Sequence, residues 1–182
     1  ENFTLCKIGF PKMKYQANRN YKSDDVVMTP EPIAKMLVEH FKPTGKVLEP
    51  CKGTGNFLKA IKGYGQNVSA LWCEIKEGKD FMDFNENVDW IITNPPWSKI
   101  RPFLNKSMEV ADNVAFLVTI NHLWTKRRIK DIQEHNFGIK EIALFDAPRE
   151  LNQSGFACGM FHLQKNYKGD IKFSILGNLT IS

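Results

Sequence analysis

The residues best suited to chemistry are Asn94-Pro95-Pro96-Trp97, which directly follow the apolar run 90–93. Each proline fixes its own φ at roughly −65° and lacks an N–H donor, so the chain leaves a strand rigid and extended. The Asn94 amide and the neighbouring carbonyls then form fixed hydrogen-bond acceptors beside the aromatic ring of Trp97. Such a set suits a flat ligand with an exocyclic amino group, although a plain strand terminator ahead of a helix would also explain the two prolines.

A glycine-rich turn precedes this motif, where residues 49–55 connect an apolar strand to the start of a helix. Gly53 and Gly55 allow a positive φ and let a ligand approach the backbone without a Cβ in the way. Free N–H groups at a helix start favour an anionic group such as a carboxylate. Leu58 stands where a dinucleotide-binding fingerprint needs a third small residue, which argues against NAD. A tight turn without a ligand is the alternative.

Acidic and aromatic residues follow the next predicted strand. Glu74 ends that strand, where an acidic side chain can meet the hydroxyls of a ribose lying across the sheet. Asp80 and Phe81 lie in the following loop; a carboxylate can accept from an adenine amino group, and an aromatic ring can stack on a purine. Asp83 competes for the carboxylate role. A solvated glutamate and a core phenylalanine would explain Glu74 and Phe81 equally simply.

The elements that must position these motifs alternate between strand and helix. Thr29-Pro30 predicts an N-cap and a first-turn proline ahead of a helix through Phe41. We predict further helices at Asn56–Lys62, Ile100–Asp112 and Lys126–His135, and strands at Lys46–Glu49, Val68–Glu74, Val88–Thr93, Ala115–Ile120, Ile139–Phe145 and Ala157–Gln164. This alternation predicts a parallel sheet with helices on both faces. Ligands bind such sheets beyond the carboxyl ends of the strands, where each motif falls.

Length and composition point to one soluble globular domain. The chain has 182 residues, 42% of them apolar, and no apolar run of the roughly 18 residues that a membrane span needs. The N-terminus shows no signal pattern and no initiator Met, so we expect a trimmed, cytoplasmic protein. Its four scattered cysteines predict reduced thiols rather than a zinc site or a disulfide framework. The net charge of +5 permits a polyanionic partner without requiring one.

The order of these motifs is typical of one enzyme family. The chain resembles the S-adenosylmethionine (AdoMet)-dependent N6-adenine DNA methyltransferases of the amino-methyltransferase group, over roughly residues 24–165. It is similar to the subgroup whose methionine-binding segment, here residues 28–33, precedes the glycine-rich turn. The resemblance implies a Rossmann-like class I methyltransferase fold with a mostly parallel seven-stranded sheet. It also implies AdoMet as cofactor, no metal, and a cytoplasmic enzyme of prokaryotic or phage origin.

The resemblance assigns roles to individual residues. It implies that Thr29 contacts the methionine moiety of AdoMet and that Glu49, Gly53 and Gly55 shape the pocket for its amino-acid group. Glu74 would bind the ribose, and Asp80 and Phe81 would bind the adenine. In the catalytic turn, Asn94 and the Pro95 carbonyl would accept hydrogen bonds from the target amine. Pro96 belongs to the same turn, and Trp97 would stack on the target base.

This chain departs from the family pattern at three positions. Glu49 stands where Asp is common, Lys52 where Gly is common, and Trp97 where Tyr or Phe is common. Glutamate keeps the charge and tryptophan keeps the flat ring, so we expect both to remain functional. Lys52 beside a sulfonium cofactor is harder to accommodate.

Three stretches of the sequence could contact nucleic acid. Residues 1–27 form a basic N-terminal arm, and the loop 149–155 precedes Phe156. Lys126, Arg127 and Arg128 begin a predicted helix on the same rim as the catalytic turn. We predict that they contact phosphates, although a solvated helix start would look the same.

We expect the chain to transfer a methyl group to the exocyclic N6 amine of adenine in DNA, with the base flipped out of the duplex. Residues 1–182 are expected to form a single methyltransferase domain without a separate target-recognition domain. Specificity would then come from loops, the basic arm, a separate specificity subunit or a homo-oligomer, with or without a restriction partner. The alternatives are a methyltransferase acting on RNA bases or on a protein glutamine, and a non-catalytic nucleic-acid-binding subunit. The intact turns favour catalysis, and the bulk of Trp97 favours a purine.

Overall fold

The computed structural model describes residues 27–122, 125–148, 151 and 157–177. The helices in these parts are α1 (Glu31–Phe41), α2 (Asn56–Tyr64), α3 (Ile100–Val110) and α4 (Lys126–Glu134). The strands are β1 (Gly45–Glu49), β2 (Val68–Trp72), β3 (Val88–Thr93), β4 (Ala111–Thr119), β5 (Phe137–Phe145), β6 (Cys158–Lys165) and β7 (Lys172–Leu176). None of the described helices has the length and apolar composition that would let it cross a membrane.

All seven strands form one sheet in the order β2-β1-β3-β4-β6-β5-β7. Neighbouring strands run parallel except at β6, which is antiparallel to both β4 and β5. Helices α1 and α2 pack on one face around Leu37 and Ile61, and helices α3 and α4 pack on the other around Leu104 and Ile132. The mostly parallel seven-stranded sheet with helices on both faces is therefore confirmed.

Strand β3 shows why the central part of the fold could be predicted from sequence. Trp90 and Ile92 belong to the core on the α1–α2 face, and Ile91 belongs to the core on the opposite face. A parallel strand covered on both faces needs a nearly continuous apolar run, which is the pattern here. The strand has the predicted boundaries, Val88–Thr93, so the turn Asn94–Trp97, which was predicted to be catalytic, begins where the strand ends.

Several other boundaries differ from the prediction by one or two residues, and β4 begins at Ala111, four residues before the predicted start. Strand β2 ends at Trp72 rather than at Glu74, because Glu74 begins a short 3₁₀ turn over Ile75–Glu77. Its carboxylate accepts the Lys76 N–H, as an N-cap does. Helix α3 passes straight into β4 at Ala111, with no loop between them.

The edge strand β7 was not predicted, and two of its three apolar residues face solvent. Phe173 and Ile175 are 58% and 57% exposed, whereas Ser174 lies against Glu141 of β5. Leu176 is half-buried against the core, so apolar residues lie on both sides of this short strand and the sequence shows no strict alternation. Parallel backbone pairing with β5 joins this strand to the sheet, and the contact between Ser174 and Glu141 adds to it.

Glu141 anchors β7 to the rest of the fold. Its Oε1 accepts from Ser174 Oγ at 2.6 Å, lies 2.6 Å from His40 Nε2 of α1, and pairs with Lys172 Nζ at 3.2 Å. Burial alone would raise the pKa of Glu141, but hydrogen bonds from Ser174, His40 and Lys172 outweigh it and lower the pKa. The ionised carboxylate of Glu141 is therefore the form that makes these contacts between α1, β5 and β7.

We expect Glu141→Gln to destabilise the protein by about 1–3 kcal/mol at pH 7, as for other buried charged hydrogen bonds. Because the folded pKa lies below the ordinary value of 4.5, the stabilisation is present above that value and is lost as the pH falls through the folded pKa. Urea unfolding at pH 7 and pH 3 measures the difference, with the exposed Glu39→Gln as a control. An equal loss at both pH values would contradict this account.

Candidate active site

A cavity of about 610 Å³ lies at the carboxyl ends of β1, β2 and β3. This volume is within the range of small-molecule sites, roughly 300–1,000 Å³. Its walls are Val27–Thr29, Glu49–Thr54, Asn56, Phe57, Glu74–Glu77, Asp80–Met82, Asn94, Pro96, Lys99, Pro102 and Phe103. Six of the seven predicted cofactor residues line it. Parallel strands bring these motifs together because their carboxyl ends share one edge of the sheet.

The glycine-rich turn uses both of its glycines, but for different purposes. Gly53 has a φ of +51°, and a Cβ there would lie 2.7 Å from the Met28 sulfur, so glycine allows the close approach of the segment before α1. Gly55 has a φ of +86° and is the N-cap of α2; it is the predicted cofactor residue that does not line the cavity. The Asn56 side chain donates to the Thr29 carbonyl at 2.8 Å and ties that segment to the turn.

Thr29 does not cap α1, contrary to the prediction. The N-cap is Pro30, with no side-chain cap hydrogen bond. The Thr29 side chain instead lies in the cavity wall, buried, and among the described residues its hydroxyl has no hydrogen-bond partner. A buried hydroxyl without a partner costs free energy, which a ligand group in the cavity would offset. The assignment of Thr29 to the methionine moiety stays a prediction, and the unpaired hydroxyl in the cavity wall fits it.

Glu49 is a buried acid at the end of β1, with 1% of its surface exposed. Burial raises its pKa to about 8, although hydrogen bonds from Thr93 Oγ1 and from the Cys51 N–H, at 3.0 Å, partly oppose the rise. The charge of Glu74 raises the pKa further. At neutral pH the carboxyl is thus mostly protonated in the protein alone, and a cation in the cavity would favour its ionised form. Thr93 was not predicted as a site residue, although a hydroxyl at the last position of a buried strand is a signal for one.

Glu74 lines the cavity although it does not end a strand. Its Oε2 accepts the Gly53 N–H at 2.9 Å, which links the loop after β2 to the glycine-rich turn. Lys52 is engaged by neighbouring side chains: its Nζ lies 4.3 Å from the centre of the Trp72 ring and pairs with Glu77. The lysine at a position where the family often has glycine is thereby neutralised.

The two residues predicted to bind adenine, Asp80 and Phe81, differ in how far they are exposed. Asp80 is half-buried in the cavity wall, and its Oδ1 accepts the Met82 N–H at 2.9 Å. Phe81 is 2% exposed, and its ring centre lies 5.4 Å from that of Phe103, so it belongs to the core as well as to the wall. Asp83, the competing carboxylate, is not among the lining residues.

In the turn Asn94–Trp97, both polar atoms of the Asn94 side-chain amide make hydrogen bonds. Asn94 Nδ2 donates to the Val27 carbonyl at 2.9 Å, and Asn94 Oδ1 accepts from Trp97 Nε1 at 3.1 Å. Asn94 and Pro96 line the cavity, whereas Pro95 is buried and Trp97, half-buried, is not a lining residue. Val27 precedes Asn94 by 67 residues in the sequence, so no local sequence pattern could predict this contact.

The predicted basic patch is only partly available for contact. Helix α4 begins at Lys126 as predicted, and Lys126 is exposed. Arg127 pairs with Asp131 at 3.5 Å. Arg128 is half-buried; burial lowers its pKa, and within the described part of the chain its Nε and Nη1 have no partner. Phe156 lies outside the described residues, as do positions 1–26 and most of the loop 149–155.

Solved structures share this fold. A Listeria monocytogenes protein assigned to the class I S-adenosylmethionine-dependent methyltransferases matches with a TM-score of 0.64 and 17% identity, over 88% of this chain and 69% of its own. A Pyrococcus horikoshii protein assigned as an RNA methyltransferase matches with a TM-score of 0.52 and 16% identity. The match covers 85% of this chain and 94% of the Pyrococcus chain. The methyltransferase subunit of a type I restriction-modification system from Streptococcus thermophilus matches with a TM-score of 0.63 and 18% identity. The match covers 82% of this chain and 47% of the subunit.

The sequence itself matches no protein-family model and no curated protein. The structural likeness identifies the fold as a Rossmann-like class I methyltransferase fold, which confirms the fold expected from the resemblance. The chain spans about half the length of the restriction-modification subunit that it matches.

Proposed function

We propose that this chain transfers a methyl group from AdoMet to the exocyclic N6 amine of adenine in DNA. The observation that supports this most directly is a single cavity that holds both kinds of residue the reaction needs. A buried acid, Glu49, and the hydroxyl of Thr29, which has no partner among the described residues, form one part of its wall, and the amide of Asn94 forms another. Proteins of the same fold include a class I AdoMet-dependent methyltransferase and a restriction-modification methyltransferase subunit.

The cavity residues fit the chemical groups of AdoMet. Thr29 and Glu49 hold the polar, positively charged amino-acid end, because one offers a free hydroxyl and the other becomes a carboxylate near a cation. Glu74 binds the ribose hydroxyls, since each carboxylate oxygen retains acceptor capacity beyond its contact with Gly53 or Lys76. When bound, AdoMet supplies an electrophilic methyl group on a sulfonium leaving group.

The catalytic turn prepares the nucleophile. The lone pair of an adenine amine is delocalised into the ring, which makes it a poor nucleophile. Asn94 Oδ1 and the Pro95 carbonyl accept hydrogen bonds from the amine hydrogens, which draws the nitrogen toward tetrahedral geometry. Its lone pair then points at the methyl group. Orientation and fixed acceptors do most of the work, and the proton leaves after transfer.

Basic side chains at the rim of the site support DNA as the substrate. Lys126 is exposed at the start of α4, and the half-buried Arg128 has two buried donors, Nε and Nη1, with no partner in the described part of the chain. His122 links this rim to the catalytic turn, since its ring packs edge-on against Trp97 at 6.0 Å. These cations contact phosphates beside a flipped nucleotide, while loops, another subunit or a second copy supply the sequence specificity. RNA is the second candidate substrate, because one structure of similar fold is assigned as an RNA methyltransferase and is covered almost completely.

Radiolabelled AdoMet offered with separate DNA, RNA and protein pools tests the proposal. Digestion of the products to nucleosides and amino acids should place the label in N6-methyldeoxyadenosine. Label in ribonucleosides would favour the second candidate. Label in glutamine, or none in any pool, would overturn the proposal.

Glu74→Ala should weaken AdoMet binding by about 1–3 kcal/mol, as expected for a lost charged hydrogen-bond partner. The change also frees the Gly53 N–H, which loosens the glycine-rich turn. Titration calorimetry measures the affinity, with Glu86→Ala as a matched control on an exposed residue outside the cavity. Unchanged affinity in Glu74→Ala would remove this residue from the cofactor site.

A further inference from the structure

The orientation of the Asn94 amide is set by its two contacts. One end meets a carbonyl, that of Val27, which can only accept; the other meets the indole N–H of Trp97, which can only donate. Rotating the amide by half a turn would place oxygen against oxygen and N–H against N–H. The oxygen therefore faces Trp97, and no donor from the described residues occupies the second of its two acceptor positions.

Trp97 is itself held in place to make this contact. Its Nε1 also lies 3.4 Å from the Leu117 carbonyl of β4, and its ring packs edge-on against His122. The residue joins both hydrophobic cores and is half-buried. A phenylalanine here would have no donor, and the hydroxyl of a tyrosine would lie at the far end of its ring.

We propose that Trp97 is a positioning residue for Asn94: its indole N–H fixes the amide so that the free acceptor position of Oδ1 faces the target amine. This role rests on the proposed function of the catalytic turn and differs from stacking on the base. It belongs to this chain's tryptophan, because a Phe or Tyr ring could stack but could not make the contact. The interaction acts on Asn94, so it affects the rate of methyl transfer rather than the binding of AdoMet.

Replacing Trp97 by benzothienylalanine tests the role, because sulfur takes the place of the N–H in a ring of nearly the same shape. We expect kcat to fall about tenfold, or about 1.4 kcal/mol, with the AdoMet Kd and the KM for DNA changed less than about twofold. Trp97→Phe should show the same fall in kcat. In an Asn94→Ala background the replacement should have no further effect on kcat.

Three results would overturn the inference: an unchanged kcat, an equal fall in the Asn94→Ala background, or a rise in KM alone, which would indicate stacking. A second measurement does not need activity. In ¹⁵N-labelled protein, the order parameter of the Asn94 side-chain amide should fall when Trp97 loses its N–H, and unchanged order would overturn the inference. A loss of order without methyl transfer to any substrate would support the positioning contact while the proposed function fails.

Discussion

Asn94→Ala is expected to lower methyl transfer about 10²–10³-fold while AdoMet binds nearly as before. The lost oxygen accepts from the target amine and matters most as positive charge develops on that nitrogen in the transition state. The residues assigned to AdoMet lie on other segments, namely the one before α1, the glycine-rich turn and the loop after β2. Single-turnover transfer from labelled AdoMet gives the rate, and titration calorimetry gives the affinity.

Two variants control for indirect effects of the Asn94 change. Asn94→Asp keeps an acceptor where the amide oxygen lies and should retain much more activity than the alanine variant, although it loses the donor to Val27. Asn85→Ala removes an exposed amide from a loop outside the cavity and should leave the rate unchanged. If Asn94→Ala transfers methyl groups at close to the parent rate, the acceptor mechanism is wrong.

Glu49→Gln is expected to stabilise the protein against unfolding at alkaline pH. The folded pKa of Glu49 is raised from 4.5 to about 8, so its contribution to stability is fully present below 4.5 and is lost as the pH rises to about 8. Glutamine is neutral throughout and keeps an acceptor for Thr93 and the Cys51 N–H. The advantage of the variant should therefore grow between these pH values and level off above them, at roughly 3–5 kcal/mol. Denaturant unfolding at pH 5, 7 and 9 measures it.

The same substitution should weaken the binding of AdoMet. A cation beside Glu49 favours the carboxylate, so wild-type protein should release protons on binding at pH 7, and its affinity should rise with pH up to about 8. Glu49→Gln should abolish both effects, whereas Glu49→Asp keeps the charge and should retain proton release. Calorimetry in two buffers of different ionisation enthalpy counts the protons. Proton uptake by the wild type, or equal stability of Glu49→Gln and parent at every pH, would contradict the assignment.

The sequence by itself determined the order of the elements and the placing of the motifs at strand ends. The β3 run from Val88 to Thr93, the glycine-rich turn and the starts of α2 and α4 were all predicted where they lie. These features depend on local physics: a buried strand needs a continuous apolar run, and positive φ favours glycine. Once the strands are parallel, their carboxyl ends share one edge, and the motifs meet there.

Only the tertiary structure decided the state of the individual groups. The raised pKa of Glu49 comes from burial, and the fixed amide of Asn94 depends on Val27, which is distant in sequence. Arg127 is engaged by Asp131, so a charge that sequence assigned to DNA already has a partner within the fold. Strand β7 pairs with β5 and contacts Glu141 through Ser174, while its Phe173 and Ile175 side chains face solvent. Burial and pairing arise between segments far apart in the chain, so residue types and local spacing cannot specify them.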